Sequence, residues 1–77
     1  MQALHTLPYT VTLIMTKVRR GNYVFLSWSG DHGHHVHVYR DGKMIVKWDM
    51  DHHLAMQGKA TRRIRLLIRE LQEEGRL

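Results

Sequence analysis

The sequence predicts an α+β domain, an antiparallel sheet of three to four strands with one C-terminal helix packed on one face. Three observations carry that expectation. Polar and apolar residues alternate with period two through much of the first half. An Asp41-Gly42 pair sits between two strand-like runs, and beyond Ala60 the apolar residues switch to a helical period.

Residues 9–18 set Thr10, Thr12 and Thr16 against Val11, Leu13 and Met15, the alternation of a half-buried first strand. Arg19, Arg20, Gly21 and Asn22 read as a polar turn, and residues 23–29 as a second strand antiparallel to the first. Residues 29–33 read as loop. Residues 35–40 and 43–48 then flank Asp41-Gly42 as a hairpin. Its register decides which side chains meet. A two-residue turn pairs Arg40 with Lys43 and puts Val36, Val38, Ile45 and Lys47 on one face. A three-residue loop pairs Tyr39 with Lys43, gathering Val36, Val38, Met44, Val46 and Trp48 on an apolar face. His35, His37, Tyr39, Lys43 and Lys47 then lie on a polar one, and only Ile45 is misplaced. A slip of one residue exchanges the faces, so burial selects the three-residue loop. Residues 49–59 keep no sustained period and read as a connection. A helix over residues 60–74 follows, with Ile64, Leu67, Ile68 and Leu71 as its buried stripe and Gly75 at its C-cap.

Seventy-seven residues make one domain, 1–77, with a thin margin of stability, because a chain of this size buries only about 60% of its unfolded surface. There is no cysteine, which excludes disulfides, thiolate metal sites and a cysteine nucleophile and favours a cytoplasmic location. The threonines of residues 10–16 interrupt what would otherwise be an apolar run, so neither a signal peptide nor a membrane span is expected. Twelve Lys/Arg against seven Asp/Glu leave a formal charge of +5. That balance points to an anionic partner, either RNA or a small acidic protein.

Four of the chain's seven histidines fall within residues 32–37. Imidazole titrates near neutrality, so such a cluster suits proton transfer or metal binding. On the polar sheet face His35, His37 and Tyr39 would lie in a row with Lys43 and Lys47 opposite. Cations hold an imidazole neutral, as a general base requires, and steady a phosphate. This is the inventory of a metal-independent ribonuclease, with His35, His37, Lys43 and Lys47 as its catalytic set. Tyr23 and Phe25 are candidates for stacking unpaired bases on the same face. A solvated sheet face carrying polar residues would look the same. The alternative chemistry is zinc on His32, His34, His35 and His37, with Asp31, Asp49, Asp51, His52 and His53 as further ligands if their loop folds back; otherwise no cofactor is expected.

The helix is charged against its dipole. Arg62, Arg63 and Arg65 crowd the partially positive N-terminus, and Glu70, Glu73 and Glu74 the partially negative C-terminus. An anion near the first turn would compensate, which makes Arg62, Arg63 and Arg65, together with Tyr39, the nucleic-acid-binding set. Screening by salt and water would serve as well. Arg62, Arg65 and Arg69 surround Leu66 on the side away from the buried stripe, as a docking face for an acidic amphipathic partner would.

Asp31-His32-Gly33 leading into His35-Val36-His37-Val38, a hairpin ending in Trp48 and a C-terminal Leu/Arg/Glu helix resemble a family of small bacterial domains with no assigned function. The family's pattern is roughly Asp-His-x-Pro-Pro-His-Val-His-Val. The resemblance covers about residues 23–74, and the matching positions are Asp31, His32, His35 and His37. The two prolines are absent here and the segment is one residue shorter. The resemblance implies a cytosolic bacterial protein, often encoded beside another small protein in a toxin–antitoxin-like arrangement, and it carries over no catalytic role because the family has none established. Residues and resemblance together suggest a protein of such a pair that binds RNA, with cleavage by the histidines as its sharpest form. The competing readings are a non-catalytic protein-interaction module and a histidine-cluster metal-binding protein.

Overall fold

The computed structural model describes residues 14–30 and 33–77. Five strands, β1 (Ile14–Arg20), β2 (Tyr23–Gly30), β3 (Gly33–Arg40), β4 (Lys43–Asp49) and β5 (Leu54–Gly58), precede one helix, α1 (Arg62–Glu73). Each strand pairs antiparallel with the next, so the sheet is a meander in the order β1-β2-β3-β4-β5. The class is the expected α+β, with five strands rather than three to four. The start of the expected first strand, residues 9–13, lies outside the described residues. Its end runs two residues further than expected, because Arg19 and Arg20 pair with Val24 and Tyr23 and leave only Gly21-Asn22 to turn.

The additional strand is β5. Leu54, Ala55, Met56, Gln57 and Gly58 contain no β-branched residue, and the strand forms because β4 offers it a hydrogen-bonding edge. Lys47 faces Gln57 and Trp48 faces Ala55, so Met56 is a bulged extra residue. At its end Gly58 has φ 81°, and a Cβ there would run into the Ile45 carbonyl. Only glycine fits.

The hairpin between β3 and β4 corrects the three-residue loop. Arg40 pairs with Lys43 across a two-residue turn in which Asp41 (φ 53°) and Gly42 (φ 79°) are both left-handed, the type I′ geometry that suits right-twisted strands. Tyr39 pairs with Met44, but Val38 pairs with Val46, so Ile45 is bulged out of register. Beyond the bulge the faces are those that burial demands. Val36, Val38, Val46 and Trp48 face inward, and the one residue that alternation could not place is the one the ladder skips.

The core lies between this inner face and the helix. Val18, Phe25, Val36, Val38, Val46 and Trp48 meet Ile64, Leu67, Ile68 and Leu71, the stripe expected from the sequence. Thr61 caps the helix by accepting a hydrogen bond from the Ile64 amide at 3.2 Å. At the other end the Gly75 and Arg76 amides reach the carbonyls of Gln72 and Leu71, a Schellman closure. Three of the six reversed charges, Arg65, Glu70 and Glu74, find partners within the fold. Arg20 on β1 grips Glu74 through two bonds of 2.7 and 2.8 Å and lies 3.7 Å from Glu70. Arg65 donates to the Ala60 carbonyl at 2.7 Å, just ahead of the helix. Among the described residues no helix is long and apolar enough to cross a membrane.

Candidate functional site

The outer face of the sheet is covered by no described element, and strand pairing lays its side chains out in three cross-strand rows. Met15, Trp28, His35, Asp49 and Leu54 form the first; Lys17, Leu26, His37, Lys47 and Gln57 the second; Arg19, Val24, Tyr39 and Met44 the third. Cations therefore stand at three points, Lys17, Arg19 and Lys47, around two aromatic rings and two histidines.

His35 and His37 share this face because they are two apart on β3, as expected from the sequence. Lys47 lies directly opposite His37, and Asp49 opposite His35. The His37 ring packs against the Trp28 indole with centroids 4.4 Å apart and planes inclined at 55°. Partial burial, then the Lys47 ammonium and His35, hold the His37 imidazole below its ordinary pKa of 6.5. The neutral form of His37 is thereby favoured.

Several expected members of the site stand elsewhere. Lys43 pairs with Arg40, so strand alternation assigns it to the helix side, away from His35 and His37; the bulge at Ile45 causes the exchange. The same bulge brings Met44 out of the core to face Tyr39. Tyr23 and Phe25 do not offer rings to the outer face but are buried in the core, Phe25 completely. His34 belongs to β3 rather than to a loop. It sits on the helix side, one residue out of phase with His35 and His37, so the four-histidine set is not brought together. His32 and Asp31 lie outside the described residues. The nucleic-acid set is divided as well. Tyr39 is on the outer face, whereas Arg62, Arg63 and Arg65 are exposed on the helix beyond the other side of the sheet. Of these Arg63 reaches the β1–β2 turn, its guanidinium 3.6 Å from where a Cβ of Gly21 would be.

The loop after β4 does fold back on the start of β3. The Asp51 carboxylate accepts from the His34 amide at 3.0 Å. Asp49 accepts from the amides of Asp51 and His52 and pairs with His52 Nδ1 at 2.8 Å. That contact raises the His52 pKa and lowers that of Asp49. These side chains are occupied with one another, and among the described residues no three His, Asp or Glu converge as a metal would require.

Trp28, Lys17 and Arg19 were not singled out from the sequence. Lys17 ends an apolar run, and Arg19 reads as turn until pairing extends β1. The alternation of Lys17 and Arg19 against Thr16 and Val18 shows that the two cations share a side of β1, and pairing with β2 decides that it is the side of His35 and His37. Among the described residues, cavities lie on either side of the sheet. One, of about 520 Å³, lies on the outer face near the hairpin tips, lined by Lys17, Arg19, Val24, Leu26, Tyr39 and Asp41 among others. The second, of about 320 Å³, lies beside the helix between Trp48, His53, Arg65, Ile68, Arg69 and Gln72. In comparisons with known proteins the chain matches no family model, no curated protein and no solved structure.

Proposed function

We propose that the outer face of the sheet binds single-stranded RNA. The observation that supports this reading is the interleaving, in adjacent cross-strand rows, of Lys17, Arg19 and Lys47 with Trp28, Tyr39, His35 and His37. Unpaired bases stack on exposed rings, cations neutralise the phosphates between them, and an open antiparallel sheet presents both at a fixed spacing. The helix arginines belong to a different task. Arg62, Arg65 and Arg69 around Leu66, beside the smaller cavity floored by Trp48 and Ile68, suit a small acidic partner protein in a toxin–antitoxin-like pair.

A second reading concerns cleavage and rests on His37. A neutral imidazole beside an ammonium is the form a general base takes, and His35, two residues away on the same face, is its candidate acid, with Lys47 on the phosphate.

A salt titration tests the binding reading. For a uridine oligomer the slope of log K against log salt should shallow by roughly two units when Lys17, Arg19 and Lys47 are all replaced by alanine, each phosphate contact contributing about 0.7. The Arg62/Arg63/Arg65 triple alanine variant should keep the slope of the wild type. The opposite outcome would move the RNA to the helix.

A further inference from the structure

The larger cavity lies at one end of the outer face, and its wall contains an acid that a surface for polyanions does not need. Asp41, at the first position of the β3–β4 turn, lines it together with Lys17 and Arg19. The ion pairs among the described residues are all elsewhere: Arg20 with Glu70 and Glu74, His52 with Asp49, and Arg76 with Glu74. Two cations and one carboxylate thus line the same cavity without neutralising one another through direct contact. Its volume of about 520 Å³ falls within the roughly 300–1,000 Å³ of small-molecule sites. Val24 and Leu26 supply an apolar floor and Tyr39 a ring.

We propose that this cavity is a guanine-nucleotide subsite, with the base on Tyr39, its Watson–Crick edge on the Asp41 carboxylate and its phosphate between Lys17 and Arg19. The inference deepens the RNA-binding reading of the outer face and rests on it. Its chemistry is that of the carboxylate. A carboxylate accepts hydrogen bonds and donates none, so its two oxygens are matched by two adjacent donors. Guanine presents them as N1–H and the N2 amino group. Adenine and cytosine each set a ring-nitrogen acceptor beside their amino donor, and uracil flanks its single N–H with two carbonyls. Each of the other bases would turn a lone pair toward the carboxylate. Asp41 is not required by the turn, because asparagine serves the first position of a type I′ turn as well. That equivalence allows the carboxylate to be removed without disturbing the fold.

The experiment compares labelled uridine hexamers that carry one central guanine, adenine or cytosine, or none, by fluorescence anisotropy with wild type and Asp41→Asn. Free GMP and AMP are titrated in parallel by calorimetry. Wild type should bind the guanine hexamer about tenfold more tightly than the others, within the range of one bidentate base contact. Asp41→Asn should erase that preference, so that the variant binds the guanine hexamer no more tightly than it binds the others, whatever uniform gain in affinity the loss of one negative charge brings. Preference for GMP over AMP would assign the subsite to free nucleotide as well as to RNA; preference in the hexamers alone would assign it to RNA, and either supports the subsite. Equal binding of all hexamers by wild type, with no choice of GMP over AMP, overturns the subsite and leaves the RNA-binding face standing. A guanine preference that survives Asp41→Asn overturns the role of the carboxylate. Binding of GMP without any hexamer supports the subsite and defeats the RNA reading, and binding of neither overturns both.

Discussion

Along β3 the side chains of Val36 and Val38 turn to one face of the sheet and those of His35 and His37 to the other, and the two faces answer to different physics. On the inner face Phe25, Val36, Val38 and Val46 are wholly buried beneath the helix, and their identities follow from the need to remove apolar surface from water. On the outer face Lys17, Leu26, His37 and Lys47 lie side by side in one row, two cations bracketing an apolar residue and a ring. Burial does not dictate that row. A strand that is half committed to a core leaves its other half available for recognition, and the contrast can be tested residue by residue.

The largest difference should appear in stability. Phe25→Ala opens a cavity in the core and should cost about 3–5 kcal/mol, which in so small a domain approaches the whole stability. Leu26→Ala, one position along on the outer face, should cost less than half as much. Urea denaturation of the two variants measures both. Equal losses would show the outer face to be packed in solution and would break the comparison.

An effect of comparable size, but one that bears on chemistry, is expected in RNA cleavage. If His37 and His35 act as base and acid, His37→Ala and His35→Ala should each slow cleavage of a labelled RNA by roughly 10²–10⁴-fold, with the circular dichroism of the fold retained and activity preserved in EDTA. The same rate in all three proteins would leave the face a binding surface. Activity abolished by EDTA alone would favour zinc on His35 and His37 instead.

The subtlest contrast lies between two histidines. His37 is pushed below 6.5 by burial and by its cationic neighbours, so the folded state disfavours its protonation. Its contribution to stability is complete above pH 6.5 and is lost as pH falls toward the lowered folded value. His52, bound to Asp49, is shifted upward, so its contribution is present below 6.5 and lost as pH rises through the raised value. Lys47→Ala removes one of the charges that depress His37 and should move its NMR titration midpoint toward 6.5 while leaving His52 in place. An unmoved His37 would mean that Lys47 does not act on it.

The helix and its stripe were legible in the sequence because a period of 3.6 needs no partner to be recognised: Ile64, Leu67, Ile68 and Leu71 are all buried, and Gly75 closes the last turn. The turn end of the hairpin was not legible, since a bulge at Ile45 restores the same inner and outer faces that a longer loop would have produced. Beyond the bulge the parity of the strands is the expected one, whereas Lys43 and Met44 exchange faces and the cross-strand partners differ. His37 therefore meets Lys47, where the longer loop would have set Ile45 opposite it. β5 was missed because its residues have little strand propensity of their own.

Composition and periodicity by themselves determined that this chain is an α+β domain with a basic surface and that His35 and His37 lie together on one face of a strand. Those properties are local, depending on charge, on a two-residue or 3.6-residue repeat and on nothing distant. The tertiary structure alone decided that Lys17 and Arg19 join that face, that Lys43 and His34 leave it, and that Arg62, Arg63 and Arg65 lie on the far side of the sheet. Such neighbourhoods are set by register, bulges and layer order. A single skipped residue at Ile45 changes every pairing beyond it, because a ladder of hydrogen bonds passes the displacement along the whole strand.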